Sequence, residues 1–381
     1  MIDDPVRVAR AYLSRVAEPP APALAAFVAE HGPVRAARLV RDGMVPTDVD
    51  RQTSARRARD RAEEDLRQMA AQGGRLVIPE DDEWPDWPFQ ALTMAAARRL
   101  RCGLAPLALW VRGKGNLAES TDRAVAVVGS RSASGYGLHV AAEFGYGLAE
   151  AGMTVVSGAA YGIDGAAHRG ALAAGGSTIA VLACGVDVAY PAGHERLLAE
   201  ILEQGLVISE YPPNHSPARH RFLTRNRLIA ALGDGTVVVE AGRRSGAKNT
   251  AATTSALGRV LMAVPGPVTS SSSSGCNELL RAGDAVPVTS VAEVVESVGR
   301  LGFDLVEATG NRDVPPQGDA MRVLEALDPM FPVPTRAVAV ESGVELARVE
   351  ALLPELEAIG AAERIDMGWK RTPEGTWRGD T

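Results

Sequence analysis

"AVAVVGSRSASGYG", residues 124–137, is the stretch that decides the fold. Small and β-branched apolar residues follow one another without polar alternation, which predicts a strand buried on both faces. A glycine then ends the run, and a polar turn with two further glycines leads into what reads as a helix. The same succession recurs at "TVVS" (154–157), "TIAVLA" (178–183), "LVISE" (206–210), "TVVVEA" (236–241) and "VLMAVPG" (260–266), with helix-length amphipathic segments between. Buried strands alternating with helices predict an α/β fold: a doubly wound, Rossmann-like parallel sheet covered on both faces. Ligands of such sheets bind beyond the carboxyl ends of the strands, so the loops after the strands are where chemistry is expected.

Outward from that core, residues 1–72 are rich in Ala, Arg and Leu at helical spacing around a proline-rich break, and read as a small N-terminal helical module. "PLALWVRG" (106–113) reads as a further strand, and "TSSSSSG" (269–275) as a flexible surface loop. The Rossmann-like domain is expected over 74–305, a linker over 306–318, and a final domain over 319–381. The last reads as helix, helix–turn–helix and hairpin, the order of a winged helix.

With 381 residues, 46% of them hydrophobic, the chain can bury a sizeable core. It shows no leader-like start and no apolar run of roughly 18 residues that would cross a bilayer, so a cytoplasmic, non-membrane protein is expected. Cys102, Cys184 and Cys276 lie far apart, unlike zinc or disulfide frameworks, and read as small buried apolar residues. No metal or cofactor is expected. The formal charge of -7 argues against a general nucleic-acid binder, yet the charge is uneven. Residues 212–259 hold eight Lys/Arg against two Asp/Glu, whereas 317–381 hold seven against twelve. One region is suited to anions and the tail is not.

The turn "GSRSASGYG" (129–137) lets the backbone approach a ligand at Gly129, offers donors at Ser130 and Ser132, and adds the planar cation of Arg131. It is neither a dinucleotide fingerprint at the turn nor a P-loop, which disfavours a nicotinamide cofactor or ATP. In "VVSGAAYGIDGAAHRGAL" (155–172), Gly158 marks a bend after a strand, Asp164 is expected to cap a helix, and His168 to be a hydrogen-bonded structural residue. A hydrolytic Asp164/His168 pair is the less favoured reading. Asp187 and Tyr190, after the third strand, suit ligand contact and packing about equally.

"ISEYPPNHSPARHRFLTRNRLIAAL" (208–232) is the most informative segment. Arg219, Arg221, Arg225 and Arg227 surround Phe222 without interleaved acids, which is what a single nucleic-acid strand requires: cations for phosphates and a ring for a base. Asn226 and Arg227 lie where a helix begins and could instead tie loops together. A second anion site is read at Arg243, Arg244, Ser245, Gly246 and Lys248, where a helix N-terminus follows a buried strand. Glu240 reads as a buried carboxylate pairing a neighbouring arginine, and Asn277 as a residue that fixes backbone.

In order and spacing these motifs, with "FLTRNRLIAAL", "VVVEAGRRSGAKNTA" and "SGCNELLRAGD", resemble the DNA-processing protein A family, also called DprA or Smf, over about residues 74–300. The resemblance implies a non-enzymatic protein that binds single-stranded DNA, dimerises, protects incoming strands and helps load the RecA recombinase during natural transformation. Its Gly-Ser-Arg loop falls on Gly129, Ser130 and Arg131, and its Phe-x-x-Arg-Asn-Arg stretch on Phe222, Arg225, Asn226 and Arg227. The N-terminal module corresponds to a SAM- or helix–hairpin–helix-like module, but "AEPPAPAL" lacks the turn glycine, which argues against a DNA-backbone role. The predicted recognition helix carries Glu345, Glu350, Glu355 and Glu357 and is expected to be disturbed by Pro354, which points to protein binding or packing instead. The rival reading is a Rossmann-like phosphoribohydrolase acting on nucleoside monophosphates through Glu240 or the Asp164/His168 pair.

Overall fold

A computed structural model describes residues 4–98, 104–243, 245–299, 318–358, 360–365 and 368–372. They fall into two compact units, one within Met1–Asp304 and one within Leu305–Thr381. The expected linker therefore lies outside the described residues except for Gly318, and so do Arg244 and Cys102.

The first unit opens with five helices, α1 (Pro5–Val16), α2 (Pro22–His31), α3 (Pro33–Asp42), α4 (Thr47–Thr53) and α5 (Ala62–Ala71). Asp4 caps α1 by accepting from the amides of Val6 and Arg7, and prolines occupy the first position of α2 and α3, where a missing N–H costs nothing. The chain then continues through β1 (Gly74–Val77), α6 (Asp86–Ala97), β2 (Leu109–Gly113), α7 (Leu117–Thr121), β3 (Ala124–Val128), α8 (Gly135–Glu150), β4 (Thr154–Ser157), α9 (Ile163–Ala173) and β5 (Thr178–Leu182). It completes the unit with α10 (Glu195–Gln204), β6 (Leu206–Ser209), α11 (Arg219–Leu232), β7 (Gly235–Val238), α12 (Ala247–Ala256), β8 (Val260–Ala263), α13 (Ser274–Ala282), β9 (Val286–Pro287) and α14 (Val291–Val298).

The strands form one sheet in the order β1-β2-β6-β5-β4-β3-β7-β8-β9. From β6 to β9 all neighbours are parallel, as the continuous apolar runs predict. β1 and β2 add an antiparallel edge that the reading of a wholly parallel sheet did not include. Every residue of β3, β4, β5, β6 and β7 is buried, so each face of the sheet is covered by helices. Strand order reverses between β3 and β7: the chain runs outward from β3 through β4, β5 and β6, then returns to the other side of β3. A crevice opens at such a reversal, beyond the carboxyl ends of the two strands.

The change at 72–74 is one of secondary structure and not a break in the core. Tyr12, Leu13, Leu24 and Val40 share one apolar cluster with Leu182, Ile201 and Val207. Arg7 pairs with Asp81 at 2.7 Å and Arg10 with Glu80 at 2.7 Å, fastening α1 to the loop after β1. The serine tract is likewise more ordered than a flexible loop: Ser274 begins α13, Ser273 is buried, and the Gly275 amide donates to the Ala241 carbonyl at 2.7 Å.

The second unit contains α15 (Asp319–Glu325), α16 (Thr335–Ser342), α17 (Leu346–Ala358), β10 (Ala362–Ile365) and β11 (Gly368–Arg371). β10 and β11 pair antiparallel, and Val333 bridges to Trp369. This is the element order expected of a winged helix. α17 runs through Pro354 without ending there, because Val349, Leu352, Leu353 and Leu356 anchor both sides of the proline in the unit's core. Glu345, Glu350, Glu355 and Glu357 are exposed.

Candidate functional site

At the switch point, the loops leaving β3 and β7 are stitched together by Glu240. Its backbone oxygen accepts from the Ser130 amide at 2.6 Å, and its carboxylate accepts from the Ser134 amide and hydroxyl at 2.8 Å each. Ser134 in turn caps α8 by accepting from the Gly137 amide at 3.1 Å. Glu240 thus holds the Gly-Ser-Arg loop against the start of α8 and pairs with serine and backbone, correcting the expected arginine partner. Gly129 permits this closeness, since a Cβ there would stand 2.5 Å from Ile163.

The loops enclose a cleft of about 580 Å³. Gly129, Ser130, Arg131 and Ser132 form one side, and Phe222, Arg225 and Asn226 from α11 form another. Ser245, Gly246, Ala247 and Thr250 from the start of α12 close the third. Nine of the residues read from sequence as ligand contacts therefore meet at one place. Arg131 is exposed and has no ion-pair partner among the described residues; its guanidinium lies 4.8 Å from the centroid of the Phe222 ring. The Asn226 amide donates to Asn249 at 3.3 Å and, at 3.5 Å, to the Gly246 carbonyl, positioning the turn into α12.

Arg225 lies beneath the cleft. Its Nη1 donates to the carbonyls of Gly158, at 2.8 Å, and Val181, joining the ends of β4 and β5, and burial lowers its pKa to about 10. Gly158 lines no wall of this cleft; a Cβ there would stand 2.4 Å from that guanidinium. Gly158 instead lines a smaller cavity that adjoins the cleft. Asp164 is not the cap of α9 either. Gly162 occupies the cap position, and Oδ2 of Asp164 accepts from the Gly158 and Ala160 amides at 3.1 and 3.4 Å, bracketing Ala159 at φ 53°. Burial pushes the Asp164 carboxyl above its ordinary pKa, against the opposing field of Arg225.

Four expected contacts stand elsewhere. Arg227 is buried and forked onto Glu210 at 2.7 and 2.8 Å. Arg221 is held by Glu18 at 2.7 and 2.9 Å and lies over the Tyr211 ring, so it bonds α11 to the segment after α1. Burial alone would raise the Glu18 pKa, but hydrogen bonds from Arg221, Arg56 and His220 hold it at about 2. Lys248 pairs with Glu278 at 2.9 Å and lines no part of the cleft. Arg219 is exposed at the start of α11 but outside the cleft lining. Each of the first three cations is already engaged by a carboxylate that lies outside its own cluster of basic residues.

His168 is fully buried and structural. The Thr178 hydroxyl donates to Val155 O at 2.7 Å, so its oxygen accepts from His168 Nδ1 at 2.7 Å; burial lowers the imidazole pKa to about 3 and keeps it neutral. Asp187 accepts from the Asn214 amide at 2.9 Å and ties loops, whereas Tyr190 stands 5.3 Å from the Phe222 ring. Asn277 both accepts from and donates to the backbone of Gly266, as expected of a residue that fixes backbone. Cys184 and Cys276 are buried, with thiols pushed up to about 12 by burial. Among the described residues no group of three His, Cys, Asp or Glu could hold a metal, and no helix is long and apolar enough to cross a membrane. Thr250, which lines the cleft, was missed, because in sequence it is an ordinary helix residue.

A mostly parallel sheet covered by helices on both faces makes this a Rossmann-like α/β protein, with a polar, arginine-bearing cleft at its switch point. Residues 75–299 match the model of the DNA recombination-mediator protein A family, and the chain belongs to that family of DNA-processing proteins. It is 52% identical over 375 residues to the putative DNA processing protein DprA of Mycobacterium tuberculosis (strain ATCC 25618 / H37Rv), covering 96% of this chain and 95% of that one. Protein Smf of Escherichia coli (strain K12) is 37% identical over 303 residues, 77% of each chain. The X-ray structure of DNA processing protein A from Streptococcus pneumoniae superposes with a TM-score of 0.61 at 28% identity, covering 79% of this chain and all of that one.

Proposed function

We propose that this protein binds single-stranded DNA in the switch-point cleft, as a non-enzymatic recombination mediator. The observation that carries the reading is Arg131, an exposed cation with no carboxylate partner among the described residues, lying on the half-buried ring of Phe222. One supplies charge for a phosphate and the other a face for a base. The first amides of α12 add a second anion-directed group, and the buried Arg225 keeps the floor positive. Following the family resemblance, the bound strand is protected in the cytoplasm by a dimer and passed to the RecA recombinase during DNA uptake. The acidic C-terminal unit takes no part in phosphate binding.

A nucleotide hydrolase would use the same crevice and needs a carboxylate at liberty to move a proton. Glu240 is engaged by Ser134 and Asp164 by two loop amides, which favours binding without bond breaking. The test is an electrophoretic shift with a single strand and its duplex across a salt series, alongside a turnover assay on DNA and nucleoside monophosphates. Preference for the single strand with no turnover is expected; equal binding to duplex, or hydrolysis, would overturn the reading.

A further inference from the structure

A second, smaller cavity adjoins the cleft, and Arg131, Ala160 and Phe222 line both. Phe222 is the shared wall. Beyond it the cavity has an apolar floor of Leu182, Ala183 and Cys184, with Tyr190 and Tyr161 at its sides. At about 40 Å³ it has room for little more than one water, so no base can sink into it. What it offers is aromatic surface at its rim.

Tyr161 is the notable member of that rim. Its side is 48% exposed, an unusual position for a tyrosine in a loop that ends a buried strand. Yet the ring is firmly held. The His194 ring packs edge-on at 4.8 Å, and the tyrosine oxygen accepts from the Gly193 amide at 3.3 Å. His194 is itself fixed by Ala159 O, 3.0 Å from Nδ1, and by Arg169, whose Nη2 lies 3.3 Å from Nε2. An exposed ring immobilised from behind loses little entropy when a second flat group lies on it. Arg131 lines the same cavity, and exposed Arg169, which holds His194 behind the ring, is a second cation nearby.

Resting on the proposed binding of single-stranded DNA, we propose that Tyr161, with Tyr190 beside it, stacks a second base of the strand whose first base lies on Phe222. The strand then leaves the cleft past Arg131 towards α9, and the site has two aromatic positions instead of one. Tyr161 is exposed and belongs to no core cluster, so its ring is free to meet a ligand, whereas half-buried Tyr190 also packs against the core; the hydrogen bond at the Tyr161 hydroxyl orients its ring.

The test scans a short oligothymidylate with a single abasic position against the wild-type protein, by fluorescence anisotropy. Two sensitive positions are expected, each weakening binding about five- to 150-fold, the range spanned by one lost stack. Tyr161→Leu, which keeps bulk without a π face, should abolish the sensitivity of one position only, and Tyr161→Phe should keep both. One sensitive position in the wild type, or unchanged sensitivity of both in Tyr161→Leu, overturns the second stacking position while leaving Phe222 and the proposed function in place. A wild type that fails to bind the intact strand overturns both.

Discussion

The guanidinium of Arg131 stands 4.8 Å from the centroid of the Phe222 ring, although one belongs to the loop after β3 and the other to α11. The sheet topology brings them together, since α11 follows β6 and leads back to β7, the neighbour of β3. If they hold one nucleotide, their removal has different signatures. Arg131→Ala should flatten the dependence of log affinity on log salt by about 0.7, one phosphate contact. Phe222→Ala should weaken binding by about 1–3 kcal/mol with the salt slope unchanged. Titrations across a salt series read both, and an unaltered slope in Arg131→Ala would remove that residue from the site.

The buried arginines of α11 should behave otherwise. Arg227→Ala strands Glu210 as an uncompensated buried charge and should cost about 3–5 kcal/mol of stability. Surviving folded protein should bind DNA with the wild-type salt slope. Lys248→Ala breaks a half-exposed pair with Glu278, so stability should change by less than about 1 kcal/mol and binding not at all. Denaturant unfolding beside the same titrations separates these cases; a flattened slope in either variant would return that cation to the interface.

This contrast marks where sequence reading ends. Parallel strands and the loops that carry the site were legible because fully buried strands need continuous apolar runs and ligands gather at their carboxyl ends. Charge was not. "RHRFLTRNR" shows four arginines and no acid, but Glu18 reaches Arg221 from the segment after α1, and Glu210 reaches Arg227 from the end of β6. Glu18 is 203 residues from Arg221, and Glu210, 17 residues before Arg227, is brought back to it only by the turn between β6 and α11. Arg131 differs: it sits in a short glycine-bounded turn, and no ion-pair partner reaches it among the described residues. The antiparallel edge of β1 and β2 was equally obscure, as a strand's direction is set by its neighbour and not by its own residues.

Acid should destabilise the fold through two histidines held neutral, His168 buried and His215 half-buried. Burial lowers the pKa of His168 to about 3 and that of His215 to about 4, whereas the unfolded chain takes up these protons near 6.5. Their contribution is complete above pH 6.5 and is lost as pH falls from there towards the folded-state values, at up to about 1.4 kcal/mol per unit for each. Glu18, held at about 2, adds a loss of the same sign below about pH 4.5. His168→Gln, whose amide can still donate to Thr178, should make stability less steep between neutral pH and about pH 5. A slope equal to the wild type's in denaturant melts would show that His168 does not carry it.

Asp164 gives the sharpest separation between scaffold and catalyst. Both loop amides converge on its Oδ2 alone, from Gly158 and Ala160 on either side of Ala159, whose positive φ is costly for a residue with a side chain. An asparagine oxygen can accept the same two bonds, so Asp164→Asn should leave the loop and DNA binding nearly intact. Asp164→Ala leaves two buried donors without a partner and should cost about 1–3 kcal/mol. A catalytic carboxyl would make both variants equally inactive, because neither asparagine nor alanine can exchange a proton. The decisive measurement is turnover of single-stranded DNA and nucleoside monophosphates, with and without divalent metal, by wild type and Asp164→Asn. Hydrolysis by the wild type that vanishes in the asparagine variant would make the crevice an active site; tight binding by both without product is the outcome expected of a residue that shapes a loop.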